Sequence, residues 1–223
     1  MAINLQYAYM FEKGGAAEIM GPVASSTWTN DPKRLLFSLS RYKFVAKMFA
    51  GMENVLEIGC GDAWASRIVA QHVQRLTAID YDHRFIDAAR NLMSQKWPIN
   101  LHTNNPLHCA DGQLGVFDAV YLLDVFEHIP SSEEDLMLKA IKANLKDTGS
   151  VIIGMPSLES QNLIPIEKRD PGHVNCKHGV NLLDLMRKHF DYAFLFSMND
   201  EVVHTGHYSM AHYLLVLCCG PRR

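Results

Sequence analysis

The stretch Val55-Leu56-Glu57-Ile58-Gly59-Cys60-Gly61-Asp62 decides the fold of this chain. Its first four residues are apolar apart from Glu57, as in a short strand that is buried on both faces. Gly59 and Gly61 remove two Cβ atoms where the backbone turns sharply and approaches a ligand. Asp62 is predicted to cap the helix that follows. A strand, a glycine turn and a helix in this order offer backbone N–H groups to a nucleotide-like cofactor.

The cofactor class follows from two departures from the dinucleotide-binding pattern. That pattern, G-x-G-x-x-G, needs a third glycine for close packing of the helix on the strand. Trp64 stands at this position, which leaves an oxidoreductase that uses a dinucleotide as a minor alternative. Glu57 lies inside an otherwise apolar strand, where a carboxylate needs a partner. The pattern E-x-G-x-G resembles the first motif of class I S-adenosylmethionine-dependent methyltransferases.

Two later strand ends strengthen the resemblance. Asp80 ends the next apolar run, about twenty residues after the glycine turn, as expected of an acid that binds a ribose. The strand at 117–123 ends in Asp124-Val125-Phe126-Glu127-His128. This D-x-x-E-H sequence looks like the fourth motif of small-molecule members of the same family. Both motifs predict a site at the carboxyl ends of parallel strands.

The resemblance implies an α/β fold and S-adenosylmethionine as the cofactor. We expect a Rossmann-like, seven-stranded, mostly parallel sheet with an antiparallel final strand, helices on both faces and an N-terminal helical cap. In this family the seventh strand inserts between the fifth and the sixth. The cofactor contacts that the resemblance and the neighbouring positions imply are Glu57, Gly59, Cys60, Gly61, Asp80, Tyr81, Asp124 and Val125.

The adenine and methionine ends of the cofactor are less clearly marked. Family members usually bind adenine with an acidic residue after the third strand, and this chain has Asn104 and Asn105 near that position. An asparagine carbonyl can accept a hydrogen bond from the adenine amino group. Asp111 is the competing candidate. Arg41, ahead of the first strand, is a candidate for the methionine carboxylate, although it equally suits an ordinary helix face.

The chain as a whole suits a single enzyme-sized domain. Its 223 residues predict one methyltransferase domain over 1–223, with a cap and helix at 1–50 and a cofactor-binding core at 51–223. Connections at 156–179 and 199–209 are predicted to be substrate loops. The first is unusually long, and loops of that length in compact domains are usually functional. The second is short and free of helix, which predicts that the strands on either side of it are antiparallel.

Composition limits the partners and the compartment. The net charge of -3 and the scattered basic residues argue against nucleic acid as a partner. Five dispersed cysteines indicate reduced thiols, so a cytoplasmic location is expected. We see neither a secretory signal nor an apolar run of the roughly 20 residues that span a bilayer. The sequence does not fix the oligomeric state, and a homodimer remains open.

Three histidines are candidates for the catalytic base: His128 after the fourth strand, His173 in the first substrate loop and His204 in the second. Histidine suits proton transfer near neutral pH. His204 and His207 could hold a metal if their segment were helical, but Gly206 favours an irregular hairpin. We therefore expect no bound metal.

The acceptor is predicted to be small and polar. The D-x-x-E-H motif, the single domain and the long polar loop favour such an acceptor. The last third of the chain resembles methyltransferases linked to bacterial surface-glycan biosynthesis, and this resemblance implies O-methylation of a sugar, a sugar nucleotide or a glycan precursor. Alternatives that stay open are N-methylation of a small amine and a non-catalytic module that only binds the cofactor.

Overall fold

The computed structural model describes residues 19–108 and 114–222. Within these ranges one eight-stranded sheet has the order β3-β2-β1-β4-β5-β8-β6-β7. The strands are β1 (Asn54–Ile58), β2 (Arg75–Asp80), β3 (Asn100–Thr103), β4 (Phe117–Leu123), β5 (Leu145–Pro156), β6 (Phe190–Met198), β7 (Val203–His204) and β8 (Tyr213–Pro221).

Strand directions divide the sheet into a parallel part and an antiparallel edge. All neighbouring pairs among β1 to β5 are parallel, whereas β8 runs antiparallel to both β5 and β6. The last long strand therefore inserts between the fifth and the sixth, as the family resemblance implies. The predicted mostly parallel sheet is confirmed, and the two-residue strand β7, inside the predicted loop 199–209, adds an eighth strand to the seven expected.

Helices cover both faces of the sheet, as predicted. They are α1 (Pro22–Asn30), α2 (Pro32–Met48), α3 (Arg67–Ala70), α4 (His83–Asn91), α5 (Glu134–Ala143), α6 (Leu158–Leu163) and α7 (Gly179–His189). Alternate residues of β4 point into two separate apolar layers: Tyr121 packs with residues of α2 and α4, and Leu122 packs with residues of α5 and α7. This alternation explains why β4 is apolar at every position except Asp118.

The cap consists of α1 and α2, which begin at Pro22 and Pro32, each at a first helical position where the missing N–H has no cost. Residues 1–18 of the predicted cap, and Asp111 and Cys109, lie outside the described residues. The other four cysteines are free thiols. No helix in the described ranges is long and apolar enough to cross a bilayer.

One local prediction was wrong. Asp62 does not cap the helix after the glycine turn, because turns occupy the intervening residues and α3 begins only at Arg67. Its Oδ2 instead accepts hydrogen bonds from the backbone N–H groups of Val23, at 2.8 Å, and Ala24, at 3.4 Å. Asp62 therefore caps α1, a helix about forty residues earlier in the chain.

Candidate functional site

The glycine turn between β1 and α3 needs its glycines for two physical reasons. Gly59 and Gly61 have φ angles of 76° and 55°, in the left-handed region that side chains with a Cβ rarely adopt. A Cβ on Gly59 would also collide with Cγ2 of Val125. The backbone N–H of Gly59 donates to the carbonyl of Ile79 at 2.8 Å, which ties the turn to the end of β2.

Asp80 fixes the same turn from the end of β2. One carboxylate oxygen accepts a hydrogen bond from the N–H of Gly61 at 2.9 Å, and the other accepts from the N–H of Asp82 at 2.9 Å. Each oxygen keeps a further lone pair. The side chain thus organises the turn and remains able to accept from a ligand hydroxyl.

A cavity of about 570 Å³ lies in front of this turn, at the carboxyl ends of β1, β2 and β4. Its volume falls in the usual range of small-molecule sites. It brings together seven of the predicted cofactor residues. These are Gly59, Gly61, Asp80, Tyr81, Asn105, Asp124 and Val125, and His128 lines the cavity as well.

The remaining predicted cofactor residues lie around this cavity rather than in its wall. Cys60 lines a smaller cavity of about 200 Å³ between the turn and the cap helices, which shares Gly59 and Gly61 with the larger one. Asn104 donates its backbone N–H to the carbonyl of Asp80 at 2.9 Å. Asn105, the asparagine that does line the large cavity, accepts from the N–H of Leu107 through its side-chain oxygen at 3.0 Å.

Glu57 supports the turn from behind. Its side chain is buried, and Oε1 accepts a hydrogen bond from the hydroxyl of Tyr42, on α2, at 2.9 Å. Burial raises the pKa of this carboxyl from 4.5 to about 7, against the opposing effect of the Ser66, Tyr121 and Tyr42 hydroxyls. Glu57 lines neither cavity, so its geometry suits a role in holding β1 and α2 together at the site.

Asp124 lines both cavities, and Arg41 is bound to it. Asp124 has a φ of 57°, and both its carboxylate oxygens accept from Nη1 of Arg41, at 2.9 and 2.7 Å. The guanidinium also lies over the ring of Tyr213, 3.7 Å from its centre. Arg41 is therefore held by two partners in the described residues, and α2 is joined through it to β4 and β8.

A second cluster of polar side chains borders the large cavity. Glu127 and His128 follow β4, and His173 comes from the long loop at 156–179; one ligand-type atom of each lies within 4.8 Å of those of the other two. The two imidazole rings are 5.1 Å apart between centres. This geometry places two of the three predicted catalytic histidines side by side.

Burial sets the charge state of this cluster. Burial, and then the negative charge of Asp124, raises the pKa of Glu127 to about 9. Neither carboxylate oxygen of Glu127 has a hydrogen-bond partner. Burial also lowers the pKa of His173, so its ring is neutral at pH 7. The site therefore combines an unsatisfied carboxyl with a neutral imidazole.

Hydrogen bonds of the long loop bring His173 to this position. The backbone N–H of Asn175 donates to the carbonyl of Glu127 at 2.9 Å. The Asn175 side chain donates to the carbonyl of Ile129, at 2.8 Å, and to Oε1 of Glu134, at 2.6 Å. Lys177 pairs with the same carboxylate of Glu134. The loop is thus anchored to the segment after β4.

His204 has a different environment. Its Nε2 contacts Oδ1 of Asn199 at 3.1 Å, and its Nδ1 accepts from the N–H of Gly206 at 2.9 Å. Both ring nitrogens are used within the hairpin of β6 and β7, and His204 lines neither of the two cavities described above. The geometry gives it a part in shaping the hairpin.

The sequence did not show the roles of two residues that shape the site. Asp62 and Tyr213 act through partners distant in sequence, which no local pattern shows. Glu127 stands with His128 in the D-x-x-E-H motif that the sequence singled out, but its proximity to His173 depends on the long loop and was not predicted.

Comparisons with known proteins agree with this geometry. A family model described as a methyltransferase domain matches residues 55–149, from β1 into β5. A ubiquinone biosynthesis O-methyltransferase of Xanthomonas axonopodis pv. citri is 26% identical over 136 residues, which are 59% of this chain and 56% of that protein. A second enzyme of that description, from Coxiella burnetii, is 27% identical over 104 residues, 44% of this chain and 42% of its own length. The chain thus spans about half the length of these curated relatives.

Solved structures show the same fold at low identity. N-methyltransferase NodS from Bradyrhizobium japonicum, in complex with S-adenosyl-L-homocysteine, has a TM-score of 0.59 at 19% identity and covers 90% of this chain and 97% of its own. The methyltransferase domain of bacterial CtHen1 has a TM-score of 0.64 at 12% identity, with 82% and 99% covered.

Proposed function

We propose that this chain is a class I S-adenosylmethionine-dependent methyltransferase that transfers the methyl group of S-adenosylmethionine to a hydroxyl group of a small polar acceptor. The acceptor class that we propose is a sugar, a sugar nucleotide or a glycan precursor. One observation carries this proposal: His128 lines the cavity that the glycine turn also lines, and Glu127 and His173 lie next to His128.

The cavity fits the cofactor. Gly59 and Gly61 allow the left-handed backbone of the turn that lines the cavity, and Asp80 keeps lone pairs for ribose hydroxyls. We propose that Asn105, or Asp111 outside the described residues, holds adenine. When it is bound, S-adenosylmethionine supplies a methyl group on a positively charged sulfur. The protein then has to align an acceptor oxygen with that group and exclude water.

The acceptor side of the proposed site lies at His128 and His173. His128 lines the cavity, and the ring of His173 packs against the ring of His128. A neutral imidazole accepts a hydrogen bond from an acceptor hydroxyl and can take its proton as the oxygen attacks the methyl group. His204, which uses both ring nitrogens within its hairpin, is not included in this proposal.

A second candidate is methylation of a small amine. The carboxyl groups of Glu127 and Asp170 flank His173, whose Nε2 lies 3.8 Å from Oδ2 of Asp170. The carboxylate of Asp170 on this side would attract a cationic acceptor. The small-molecule acceptor, the absence of a nucleic-acid partner and the cytoplasmic location stay predictions from composition and motif.

Two measurements test the proposal. Calorimetry with S-adenosylhomocysteine should show one site, and a screen of sugars, sugar nucleotides and small amines should show S-adenosylhomocysteine formed from S-adenosylmethionine. His173→Ala should lower turnover at least about tenfold with unchanged cofactor affinity. His102→Ala, an exposed histidine on the edge strand β3, is the matched control.

The possible outcomes separate the hypotheses. Turnover with sugars supports O-methylation, and turnover with amines alone would replace it by the second candidate. Cofactor binding without turnover on any class would favour a binding module. Absence of cofactor binding would overturn the methyltransferase function itself.

A further inference from the structure

Glu127 presents an energetic problem that its protein neighbours do not solve. The side chain is fully buried, and both carboxylate oxygens lack a hydrogen-bond partner. Buried carboxyl groups in proteins are normally paired, hydrogen-bonded or bound to a metal, because burial of a polar group without a partner is unfavourable. The guanidinium of Arg41 is already bound to both carboxylate oxygens of Asp124.

The two neighbouring histidines are oriented as ligands. Nδ1 of His128 lies 2.8 Å from the carbonyl oxygen of Gly172, and Nδ1 of His173 lies 3.1 Å from Oε1 of Gln161. Both partners are acceptors, so each Nδ1 carries the proton and donates it. Each Nε2 consequently keeps a free lone pair. Metal-binding histidines are oriented in the same way, with the second ring nitrogen donating to a carbonyl or carboxylate.

From this arrangement we infer that Glu127, His128 and His173 bind one divalent first-row transition metal ion, of the class of Mn²⁺, Co²⁺ or Zn²⁺. Their ligand atoms lie within 4.8 Å of one another, so small side-chain adjustments bring all three to one ion. Two imidazole nitrogens and one carboxylate oxygen suit such ions, and three protein ligands leave open coordination positions. The inference departs from the expectation, made from sequence, that no metal is bound.

The ion would give the acceptor a defined place, and this step rests on the proposed function. An ion at the wall of the cofactor cavity can bind a hydroxyl oxygen of a sugar-type acceptor and lower the pKa of that hydroxyl. The O–H bond breaks with loss of its proton to water, the oxygen forms a bond to the methyl carbon, and the S–CH₃ bond breaks with its electron pair left on sulfur. The histidines then act as ligands rather than as bare bases.

The cluster was not visible in the sequence because its parts come from two segments. Glu127 and His128 follow β4, while His173 lies forty-five residues further along the chain, in the loop that Asn175 anchors. Close spacing in the sequence pointed instead to His204 and His207 as a possible metal site.

A metal titration of the full chain tests the inference without requiring activity. Chelator-treated protein is titrated with Co²⁺, and ligand-field absorption and elemental analysis report binding and stoichiometry. We expect one ion per chain. Glu127→Gln and His173→Ala should each weaken binding by about 100-fold or more, since even loss of a supporting partner costs about 10–100-fold. Gln161→Leu, which removes such a partner, should weaken it by about 10-fold or more, whereas His102→Ala should leave it unchanged.

Structural integrity is checked separately. The unfolding temperature of each variant and its affinity for S-adenosylhomocysteine show whether the fold is intact. If Glu127→Gln fails to fold, His173→Ala, at a side chain that is 16% exposed, carries the test. The inference is overturned if the wild type binds no Co²⁺, or if binding persists equally in folded His173→Ala. Cofactor binding without metal binding would overturn only the metal site, and absence of cofactor binding would overturn only the proposed function.

Discussion

Substitution of Glu57 by Gln should remove a pH-dependent part of the stability. Burial raises the pKa of Glu57 in the folded chain to about 7, against 4.5 for an ordinary glutamate. The folded state therefore binds more protons than the unfolded state between these values, and stability falls as the pH rises through this window. With 1.36 kcal/mol per pKa unit, Glu57 makes the wild type about 2–3 kcal/mol less stable at about pH 8 than at about pH 5.

Glu57→Gln keeps an oxygen that accepts from Tyr42 and removes the titration. Urea unfolding of both proteins at several pH values gives the difference in their free energies of unfolding, in which the other titrating groups cancel. We expect the free energy of unfolding of the variant, relative to that of the wild type, to be about 2–3 kcal/mol higher at about pH 8 than at about pH 5. Glu53→Gln, on an exposed side chain just before β1, is the matched control and should show a flat difference. The reasoning would be refuted if the free energy of unfolding of Glu57→Gln, relative to that of the wild type, did not change with pH or increased toward acid pH.

Three further substitutions test the site from other directions. Gly59→Ala should weaken S-adenosylhomocysteine binding at least about tenfold, measured by calorimetry, because a strained backbone conformation costs about 1–3 kcal/mol and the new Cβ has no space. Gly51→Ala is the control: Gly51 also has a positive φ, but no atom lies near its Cβ position, so the affinity should be unchanged. Asp124→Asn should lower the free energy of unfolding, measured in urea, by about 1–3 kcal/mol, because the guanidinium of Arg41 loses its counter-charge. The double variant Asp124→Asn/Arg41→Met should recover part of this loss. Asp62→Ala should speed hydrogen exchange in α1 and cost about 1 kcal/mol, as loss of a helix cap does; unchanged exchange would contradict the capping role.

The sequence predicted those parts of the fold that depend on local pattern. The apolar runs gave the long strands, and Gly59 and Gly61 marked the turn because only glycine suits their backbone angles. The carboxyl ends of the strands then located the cofactor cavity, since parallel strands end at one edge of the sheet.

Contacts between distant segments explain what was missed. Both His173 and His204 were candidates because they lie in loops, yet Asn199 and Gly206 occupy both ring nitrogens of His204. Asp62 was assigned to the helix that follows it, although its carboxylate serves a helix that precedes β1. Such choices depend on which groups are adjacent in space, and sequence spacing does not determine this.

The carboxylate of Asp62 has a consequence for the timing of ligand exchange. It belongs to the cofactor turn and also holds the first turn of α1, so the turn and the cap are thermodynamically linked. Because linkage is reciprocal, the free energy by which docking of the cap strengthens ligand binding at the turn equals the free energy by which the bound ligand strengthens docking of the cap. If α1 has to detach before the spent donor leaves, residues remote from the chemistry would control the turnover of the enzyme.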